Sequence, residues 1–545
     1  MSQTSNDDIF DLVGLGFGPA NIAIAGALTE HWQTKDSLKK PMTNVLFIEK
    51  HKHFRWHPGM LLPEAKMQIS FMKDLATLRN PQSPYTFLSY LHSQDRLLPF
   101  INRGSTIPTR KEYSDYLSWA AQRVQEEGIN VLYGHEVVCI ANSNTKDTVA
   151  IHYRNVTTGE EVVVKSRNII ISPGGSPRVP PSISHVAKHP NVIHSSTYCL
   201  SIPKILETIA KASQLGTLRI AVIGSGQSAA EVTMDLRNRL NDIPCQMGHH
   251  QVDMLIRKGS LKPSDDSPFA NEIFNPASTD IWFSLSSKRI RDMKLAEYKP
   301  TNYGVVNPRT IDALYEIIYG QKVNDDIVQR TGVSLTSSET IIDIKTYVSI
   351  SSIEPTTSDT STIQLLSSER FVDTNAALVI TTQNLITHES RETLYDAVVY
   401  ATGYERSHWA DVLKKSDVGK HFGLDRLCTD IRLIPAPGRE ARSSQPKSIS
   451  SSRSTSTTHS LPSSTDTTPP TSPEIGASVL ERGQQLYISR NYRLLPLGKG
   501  RGDSAHFEPR IYVQGVEEYT HGLSDTLLSV LGVRAGEVVE DLTRD

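Results

Sequence analysis

Residues 9–28 read IFDLVGLGFGPANIAIAGAL, a stretch that predicts a strand, a glycine-rich turn and a helix in immediate succession. The apolar run Ile9–Val13 predicts the strand, and the small residues of Ala20–Leu28 predict the helix. The turn between them contains Gly14, Gly16, Gly18 and Pro19. Glycines permit a tight turn and let the backbone approach a pyrophosphate at a helix N-terminus, and proline suits a helix's first turn. The stretch therefore predicts a dinucleotide site near the start of the chain.

A second unit of the same kind begins about 210 residues later. Residues 219–229 read RIAVIGSGQSA, and a helix is predicted over Ala230–Leu240. The turn contains Gly224, Ser225, Gly226, Gln227 and Ser228. Ala229 takes the place of the third glycine, which is an accepted variant of the pattern. Two such units predict an α/β fold with two dinucleotide-binding (Rossmann-like) domains.

The residue that ends the next strand of each unit predicts which nucleotide is bound. The first unit continues into the apolar strand Asn44–Ile48 and ends at the acidic Glu49, which suits a ribose hydroxyl. The second continues into Val252–Ile256 and ends at the basic Arg257, which suits a 2′-phosphate. We therefore expect FAD in the first domain and NADPH in the second.

One polar segment interrupts the chain. From Ser443 to Ser472, nineteen of thirty residues are Ser or Thr and four are Pro, so the segment cannot bury enough apolar surface to offset its ordering entropy. The strand Ala397–Ala401 leads into Thr402-Gly403-Tyr404 and predicts a return of the chain to the first domain. The predicted division is 1–200 for the first part of the FAD domain, 201–390 for the NADPH domain, 391–437 for the return, 438–480 for a disordered insertion and 481–545 for the C-terminal part of the FAD domain.

Composition excludes several classes of protein. The 545 residues include 57 Lys plus Arg and 59 Asp plus Glu, and this balance does not provide the basic footprint of a nucleic-acid-binding protein. No run of 18 apolar residues predicts a membrane span, and no signal peptide is visible at the N-terminus, so a cytoplasmic location is expected. The four cysteines form no CxxC, which argues against a dithiol disulfide reductase on the same two-domain plan.

Longer blocks of sequence carry a family resemblance. FMKDLATLRNP at 71–81 and NEIFNP at 271–276 are long enough to be specific signals. With them, the chain resembles the fungal L-ornithine N5-monooxygenases, which are flavin-dependent N-hydroxylating enzymes of siderophore biosynthesis. The resembling blocks are Asp11–Asn21, Phe54–Pro81, Gly224–Glu231, Lys262–Pro276, Thr301–Val306, Tyr400–Glu405, Ser489–Leu494 and Thr520–Ser529.

The resemblance implies a role for each matching position. The residues implied to lie along the FAD, in addition to the first glycine turn, are Glu49, Lys50, His51, Lys52, His53, Phe54, Arg55, Trp56, His57, Gln68, Val138, His521, Gly522 and Leu523. Those implied to hold NADPH are Ser225, Gly226, Gln227, Ser228, Arg257, Asn302, Tyr303 and Gly304. Those implied to form the small substrate-binding portion are Lys73, Asn271, Glu272, Ile273, Phe274, Asn302 and Ser524. Lys73 is a point charge suited to a carboxylate, and Ser524 before Asp525 also fits a helix N-cap.

The resemblance also implies the reaction. NADPH reduces the flavin, O2 forms a C4a-hydroperoxyflavin, and the N5 amine of L-ornithine is hydroxylated in the first step of hydroxamate siderophore biosynthesis, a route of iron acquisition. The flavin carries the difficult chemistry, so no catalytic side chain and no metal ligand is expected. A homotetramer is implied by the family, with no nucleic-acid partner and no membrane partner.

Three alternatives stay open at this stage. L-lysine N6-hydroxylation differs by one methylene in the substrate, which is worth only about 1–3 kcal/mol in a pocket. A non-catalytic NADPH- and FAD-binding redox sensor would use the same fold. A Baeyer–Villiger enzyme would carry F-x-G-x-x-x-H-x-x-x-W before the second glycine turn, of which only His194 and Tyr198 are echoed here.

Overall fold

The computed structural model describes residues 9–33, 42–213, 216–246, 248–332, 339–356, 378–427, 430–436, 484–497 and 507–544. The predicted insertion 438–480 lies outside the described residues.

The described chain alternates strands and helices. The strands are β1 Ile9–Leu15, β2 Val45–Glu49, β3 Asn130–Tyr133, β4 His135–Asn142, β5 Val149–Asn155, β6 Glu161–Ile171, β7 Ser176–Pro177, β8 Val192–His194, β9 Arg219–Ile223, β10 Gln251–Leu255, β11 Ile341–Lys345, β12 Val348–Pro355, β13 Leu378–Asn384, β14 Ser390–Tyr395, β15 Ala397–Tyr400, β16 Tyr404–Glu405, β17 Ile431–Pro435, β18 Gln484–Ile488, β19 Leu494–Leu495 and β20 Arg510–Val513. The longer helices are α1 Pro19–Gln33, α2 Phe87–Ser93, α3 Leu97–Asn102, α4 Arg110–Glu126, α5 Tyr198–Ala212, α6 Gln227–Asn241, α7 Pro268–Asn271, α8 Ser278–Ser284, α9 Lys288–Tyr298, α10 Pro308–Thr331 and the C-terminal helix Leu531–Thr543.

Short helical segments complete the described chain. One-turn α-helices lie at Asp411–Lys414, Val418–His421 and Glu518–His521. The 3-10 turns are Pro58–Met60, Pro181–Val186, Ser195–Thr197, Glu272–Phe274, Lys299–Thr301, His408–Ala410, Leu523–Thr526 and Leu528–Val530.

The first sheet contains the N-terminal glycine turn. Its strand order is β3-β2-β1-β6-β5-β4, and β20 pairs with β6. β1 is parallel to β2 and β6, while β5 runs antiparallel to β4 and β6. α1, α4 and the C-terminal helix contribute to one apolar core against this sheet. The carboxyl ends of β1 and β2 therefore meet at one edge, where ligands bind in open α/β sheets.

The second sheet contains the second glycine turn. Its order is β11-β10-β9-β15-β8, and all its strand pairs are parallel. α5, α6 and α10 contribute to the apolar core on this sheet. A separate antiparallel sheet, β12-β13-β14, packs on the part of the second sheet that includes β8 and β15. The expected α/β class with two Rossmann-like units is confirmed.

Gly134 at φ +72° turns the chain between β3 and β4. One sequence expectation needs correction. β15 was expected to begin the return to the first domain, but this buried apolar strand pairs with β9 and β8 in the second sheet. The return therefore follows β15, and the other boundaries of the five predicted ranges stay predictions.

The turn Pro58–Met60 meets the turn before α5 through a very close backbone approach at Gly59. Gly59 lies in the turn Pro58–Met60, and a Cβ at this position would overlap the carbonyl oxygen of Ser196 in the turn before α5. Only glycine leaves room for this contact, because the neighbouring atoms are backbone and cannot rotate away.

We predict that Gly59→Ala destabilises the protein. Overpacking a closed contact costs about 1–3 kcal/mol of unfolding free energy, and more where backbone must move. The matched control is Gly320→Ala on α10, where a Cβ would have nothing within 4 Å. This control should gain about 0.5–1 kcal/mol because glycine is a poor helix former. Chemical denaturation of both variants measures the difference, and equal stabilities would contradict the contact at Gly59.

Candidate functional site

The first glycine turn is shaped by one close approach and one side chain. Gly16 has φ +82°, and a Cβ there would lie 2.8 Å from the carbonyl oxygen of Ser172. Asn21 donates from Nδ2 to the Gly16 carbonyl at 2.7 Å and accepts from the Ser172 hydroxyl at 3.0 Å. A Cβ at Gly18 would meet nothing within 4 Å. The start of the 15-residue helix α1 therefore has open space beside it, which fits a pyrophosphate at a helix N-terminus.

Glu49 closes β2 next to this turn. Its two carboxylate oxygens accept the backbone N–H groups of Phe17 and His51, both at 2.9 Å. Each carboxylate oxygen has a second lone pair, so the side chain still has capacity to accept a ribose hydroxyl. Glu49 thus holds the glycine turn against the strand end and fits the predicted role at the same time.

We call the space expected between the two glycine turns the cleft, and the segment after Glu49 is expected to form one of its walls. His57 has a left-handed backbone at φ 42° and its ring is accessible to solvent. The surrounding protein nevertheless lowers the pKa of His57, and the positive charges of Arg110 and Arg406 lower it further. The ring of Tyr404 lies 6.0 Å from that of His57, so the wall is aromatic and suits a planar ring system such as a flavin.

The other residues expected along the first cofactor differ in exposure. Trp56 is buried, and its ring is 5.7 Å from that of Tyr113. Val138 lies at the irregularity in β4 where the pairing with β5 shifts between Val137 and Cys139. Half-buried positions are His51, Phe54 and Arg55, and exposed positions are Lys50, Lys52, His53 and Gln68. Their roles toward a cofactor stay predictions.

The second glycine turn is packed under the end of β15. Gly224 has φ +145°, and a Cβ there would lie 2.5 Å from the carbonyl oxygen of Ala401. Gly226 is the N-cap of the 15-residue helix α6 and provides no side-chain cap. A Cβ at Gly226 would lie 3.6 Å from the Cα of Gly304. Gly226 and Gly304 therefore lie close together at the N-terminus of α6, and a helix N-terminus is a site where a pyrophosphate can bind.

Gln227 has a structural task within this turn. Its Nε2 donates to Glu231 at 2.7 Å and to Thr310 at 3.1 Å, and its Oε1 accepts the backbone N–H of Asn307 at 2.7 Å. The side chain is therefore used to tie the 302–310 region to α6. Only the backbone of Gln227 is left for the predicted contact with a pyrophosphate.

The two basic residues after β10, Arg257 and Lys258, differ in their contacts. Arg257 is exposed, and in the part of the chain that the structure describes no carboxylate pairs with it. Lys258 donates from Nζ to the carbonyl oxygen of Gly304 at 2.8 Å. Arg257 thus remains available for a phosphate, while Lys258 orders the residues expected to contact the nicotinamide half.

The fold brings two of the expected substrate residues together. The Nζ of Lys73 lies 3.5 Å from the Oδ1 of Asn271, although the two are 198 positions apart. Asn271 donates its amide hydrogens to the carbonyl oxygens of Asp266 and Ser267 at 3.0 and 3.2 Å. In this orientation Asn271 orients Lys73 and has no amide hydrogen left for a ligand. Among the described residues no carboxylate pairs with Lys73, so its charge is available to an acidic ligand.

The residues that follow Lys73 in the block 71–81 anchor this loop to the rest of the protein. The buried carboxylate of Asp74 accepts the backbone N–H groups of Ala76 at 2.9 Å, Thr77 at 2.6 Å and Phe87 at 2.6 Å. Arg79 forms a bidentate ion pair with Glu30 on α1, at 2.6 and 3.0 Å. These neighbours fix the loop that follows Lys73, and Asn271 contacts its ammonium group.

The remaining substrate residues come from two further segments. The turn Glu272–Phe274 lies against the turn Leu523–Thr526, and Phe274 packs in a cluster with Trp282 and Leu523. Ser524 is buried inside its turn, and the N-cap is Gly522 without a side-chain hydrogen bond. The N-cap role considered for Ser524 is therefore wrong, because Ser524 lies inside the turn and Gly522 is its N-cap. Ile273 is half-buried and Glu272 is exposed.

Asn302 has an unsatisfied acceptor. Its Oδ1 is enclosed by protein and receives no hydrogen bond. An enclosed acceptor without a donor costs about 1–3 kcal/mol, and a ligand N–H group that reached it would remove this cost. This fits the expected contact of Asn302 with substrate.

His521, Gly522 and Leu523 form a tightly packed closure. His521 is buried and stacks on Tyr492 with ring centroids 4.3 Å apart, and burial is the main reason that its pKa falls to about 4. Gly522 has φ +95°, and a Cβ there would lie 2.7 Å from the Trp282 ring. A neutral imidazole and buried Leu523 therefore give this side of the site an apolar, water-excluding character.

Sequence reasoning missed the side chains that connect the segments. Arg110 on α4 forms a bidentate pair with Glu231 on α6, at 2.7 and 2.9 Å. Arg406, Glu518 and Thr526 meet Tyr303 near the cleft. Each partner lies far away in the sequence, so no local pattern could have identified these pairs.

Two further structural findings concern other kinds of site. Among the described residues, no three His, Cys, Asp or Glu side chains are grouped so that they could hold a metal ion. Within the same residues, no helix has the length and apolar character needed to cross a membrane.

Comparison with known proteins gives a consistent result. Residues 8–406 match the sequence profile of a family described as L-lysine 6-monooxygenase/L-ornithine 5-monooxygenase. A Coprinopsis cinerea protein named L-ornithine N(5)-monooxygenase is 54% identical, with 99% of this chain and 98% of that protein covered.

Two solved structures share the whole fold. The ornithine hydroxylase of Pseudomonas aeruginosa is 32% identical with a TM-score of 0.70, and 98% of this chain and 99% of that chain are covered. An ornithine N-hydroxylase of Kutzneria sp. 744, described with reduced FAD, NADP+ and L-ornithine, is 27% identical with a TM-score of 0.70 over the same shares. The expected family is confirmed by the full-length match and by the profile match over most of the chain. The chain is a monooxygenase that belongs to the L-lysine 6-monooxygenase/L-ornithine 5-monooxygenase family.

Proposed function

We propose that the protein hydroxylates the terminal N5 amine of L-ornithine with FAD and NADPH, as the first step of hydroxamate siderophore biosynthesis. The observation that carries the proposal is the meeting of Lys73 and Asn271 at 3.5 Å in a chain that also contains two dinucleotide-type turns. The relatives that are most similar along the whole chain are named for ornithine, which supports this substrate over lysine.

FAD would be held by the first glycine turn, Glu49 and the aromatic wall at His57. NADPH would be held by the backbone of the second glycine turn and by Arg257. Bound there, the flavin would supply the capacity to accept a hydride and to activate O2. The remaining work belongs to the chain: it orients the substrate and excludes water from the reacting amine.

Substrate orientation would begin at the carboxylate. Lys73 attracts the carboxylate as a point charge, and Asn271 fixes the direction of its ammonium group. The unsatisfied Oδ1 of Asn302 would accept an N–H group of the substrate. Buried Ser524 and half-buried Phe274 would close the pocket around the side chain.

The reacting amine must lose its proton before it can act as a nucleophile. An ordinary alkyl amine of this kind has a pKa of about 10.4, and a site poor in water lowers that value by disfavouring the charged form. The neutral, buried His521 and the apolar Leu523 support such a site. No general base is needed in this proposal, and we assign no catalytic side chain. The homotetramer and the cytoplasmic location stay predictions.

The test is product analysis with purified, FAD-loaded protein, NADPH and O2, with ornithine and lysine compared side by side. We expect hydroxylamine from ornithine and little from lysine. Product from lysine alone would replace the substrate in this proposal with lysine. NADPH oxidation to peroxide with neither amino acid hydroxylated would contradict the substrate and favour the redox-sensor alternative.

We predict that Lys73→Ala raises the KM for ornithine by about 30-fold or more. Removing one member of a desolvated charge pair costs about 2 kcal/mol or more, and 1.4 kcal/mol corresponds to a factor of ten. Steady-state kinetics at saturating NADPH measures this effect. The matched control is Lys66→Ala, which removes an exposed lysine seven residues earlier. An unchanged KM in Lys73→Ala would refute the carboxylate contact.

We predict that Arg257→Ala raises the KM for NADPH by about tenfold or more and leaves the KM for NADH nearly unchanged. A charge-assisted hydrogen bond is worth about 1.5–3 kcal/mol, and NADH has no 2′-phosphate with which to form it. Arg289→Ala on α9 removes an equally exposed arginine and serves as the control. If the use of both nucleotides weakened equally, Arg257 would not contact the 2′-phosphate.

A further inference from the structure

We propose that Glu518 is a positioning residue for hydride transfer, because its carboxylate holds the Tyr303 side chain and Arg406 at the junction of the two nucleotide sites. The proposal rests on the proposed function, since it assigns Tyr303 to the nicotinamide side of the cleft. It concerns a residue outside every block of site residues expected from the sequence.

One oxygen atom is the centre of this junction. The Oε1 of Glu518 accepts the hydroxyl of Tyr303, the hydroxyl of Thr526 at 2.6 Å and the guanidinium of Arg406 at 3.2 Å. The Tyr303 hydroxyl also lies 3.3 Å from both Arg406 and Thr526. Four side chains therefore close a network in which each member contacts more than one other.

The network joins three segments that are distant in sequence. Tyr303 comes from the loop before α10, Arg406 follows β16, and Glu518 begins the one-turn helix that ends at His521. Tyr303 and Glu518 are 215 positions apart. Because Tyr303 stands between Asn302 and Gly304, and Gly304 lies against the Gly226 turn, holding its ring also holds the loop expected at the nicotinamide.

The location of the network favours a role in the reaction over a purely structural one. The side chains are partly exposed to solvent. Tyr303 is 39% exposed, and the side chains of Arg406 and Glu518 are 33% and 19% exposed. Tyr404, two residues before Arg406, has its ring 6.0 Å from that of His57. The network therefore lies near both the wall expected at the flavin and the loop expected at the nicotinamide.

The chemistry of the group explains why a carboxylate is needed. A single charged acceptor can receive three donors from three directions, and charge-assisted hydrogen bonds are about twice as strong as neutral ones. Desolvation of the Tyr303 hydroxyl and the negative charge of Glu518 raise the pKa of Tyr303, so the phenol stays protonated and donates. An amide in place of the carboxylate would keep the volume and one acceptor oxygen but would remove the negative charge that strengthens the three hydrogen bonds.

The experiment measures anaerobic reduction of the bound flavin by NADPH in a stopped-flow instrument, with full-length, FAD-loaded protein. The variants are Glu518→Gln, Tyr303→Phe and the double variant. We expect each single variant to slow flavin reduction about tenfold, with the double variant no slower than the slower single one. Such non-additivity is the signature of two residues that act through one contact. The KM for ornithine and the melting temperature should change little.

The matched control is Glu540→Gln, which removes a glutamate from an exposed ion pair with Arg544 on the C-terminal helix. Its flavin reduction should equal that of the wild type. Thr526→Val provides a second variant with the network weakened and the charge of Glu518 intact, and it should slow reduction by a smaller factor. This variant keeps the test decisive if Glu518→Gln fails to fold.

Each result has one reading. Wild-type rates in Glu518→Gln, or independent additive effects of the two substitutions, overturn this inference and leave the proposed function standing. The inference is also overturned if Glu518→Gln and Thr526→Val both lower the melting temperature and the FAD content to an extent that accounts for the slower reduction. The network would then be structural. A wild-type protein whose flavin is not reduced by NADPH overturns the proposed function, and this inference with it.

Discussion

The bidentate pair between Arg110 and Glu231 is the contact on which the arrangement of the two nucleotide units depends. Arg110 lies on α4, against the first sheet, and Glu231 lies on α6, which begins at the second glycine turn. Both side chains are largely buried, with 15% and 12% exposed, so the pair is shielded from solvent screening. Planar, two-point geometry fixes orientation as well as distance. This salt bridge and the backbone contact at Gly59 therefore both connect the first unit to the second.

The same carboxylate extends this constraint into the site. Glu231 also accepts from Gln227, and Gln227 in turn holds the backbone of Asn307. Asn302 and Tyr303 precede that anchored position on the same loop. The loop expected at the nicotinamide is thus connected through hydrogen bonds to the contact that joins the two units.

The C-terminal helix supplies the other side of the site. Arg490 forms a bidentate pair with Glu537 at 3.0 and 2.8 Å, and the Tyr512 hydroxyl donates to Asp541 at 2.6 Å. Arg534 pairs with the buried Asp525 at 3.0 Å, one residue after Ser524. The pair with Arg534 holds the turn Leu523–Thr526 in place, and the other two contacts fix the segment Ser489–Leu494 and β20 against the C-terminal helix.

The sequence by itself determined the two strand–turn–helix units, the acidic and basic strand ends and the family, because each is encoded by neighbouring residues. A glycine at φ +82° or a helix start at Pro19 is decided within a few positions of chain. Only the tertiary structure decided that Asn271 uses its amide hydrogens on the backbone, that β15 belongs to the second sheet, and that Lys73, Arg110 and Glu518 meet partners 198, 121 and 215 positions away. Those pairings depend on the path of the whole chain and on which buried charges still need a partner. The spacing of neighbouring residues provides no information on either.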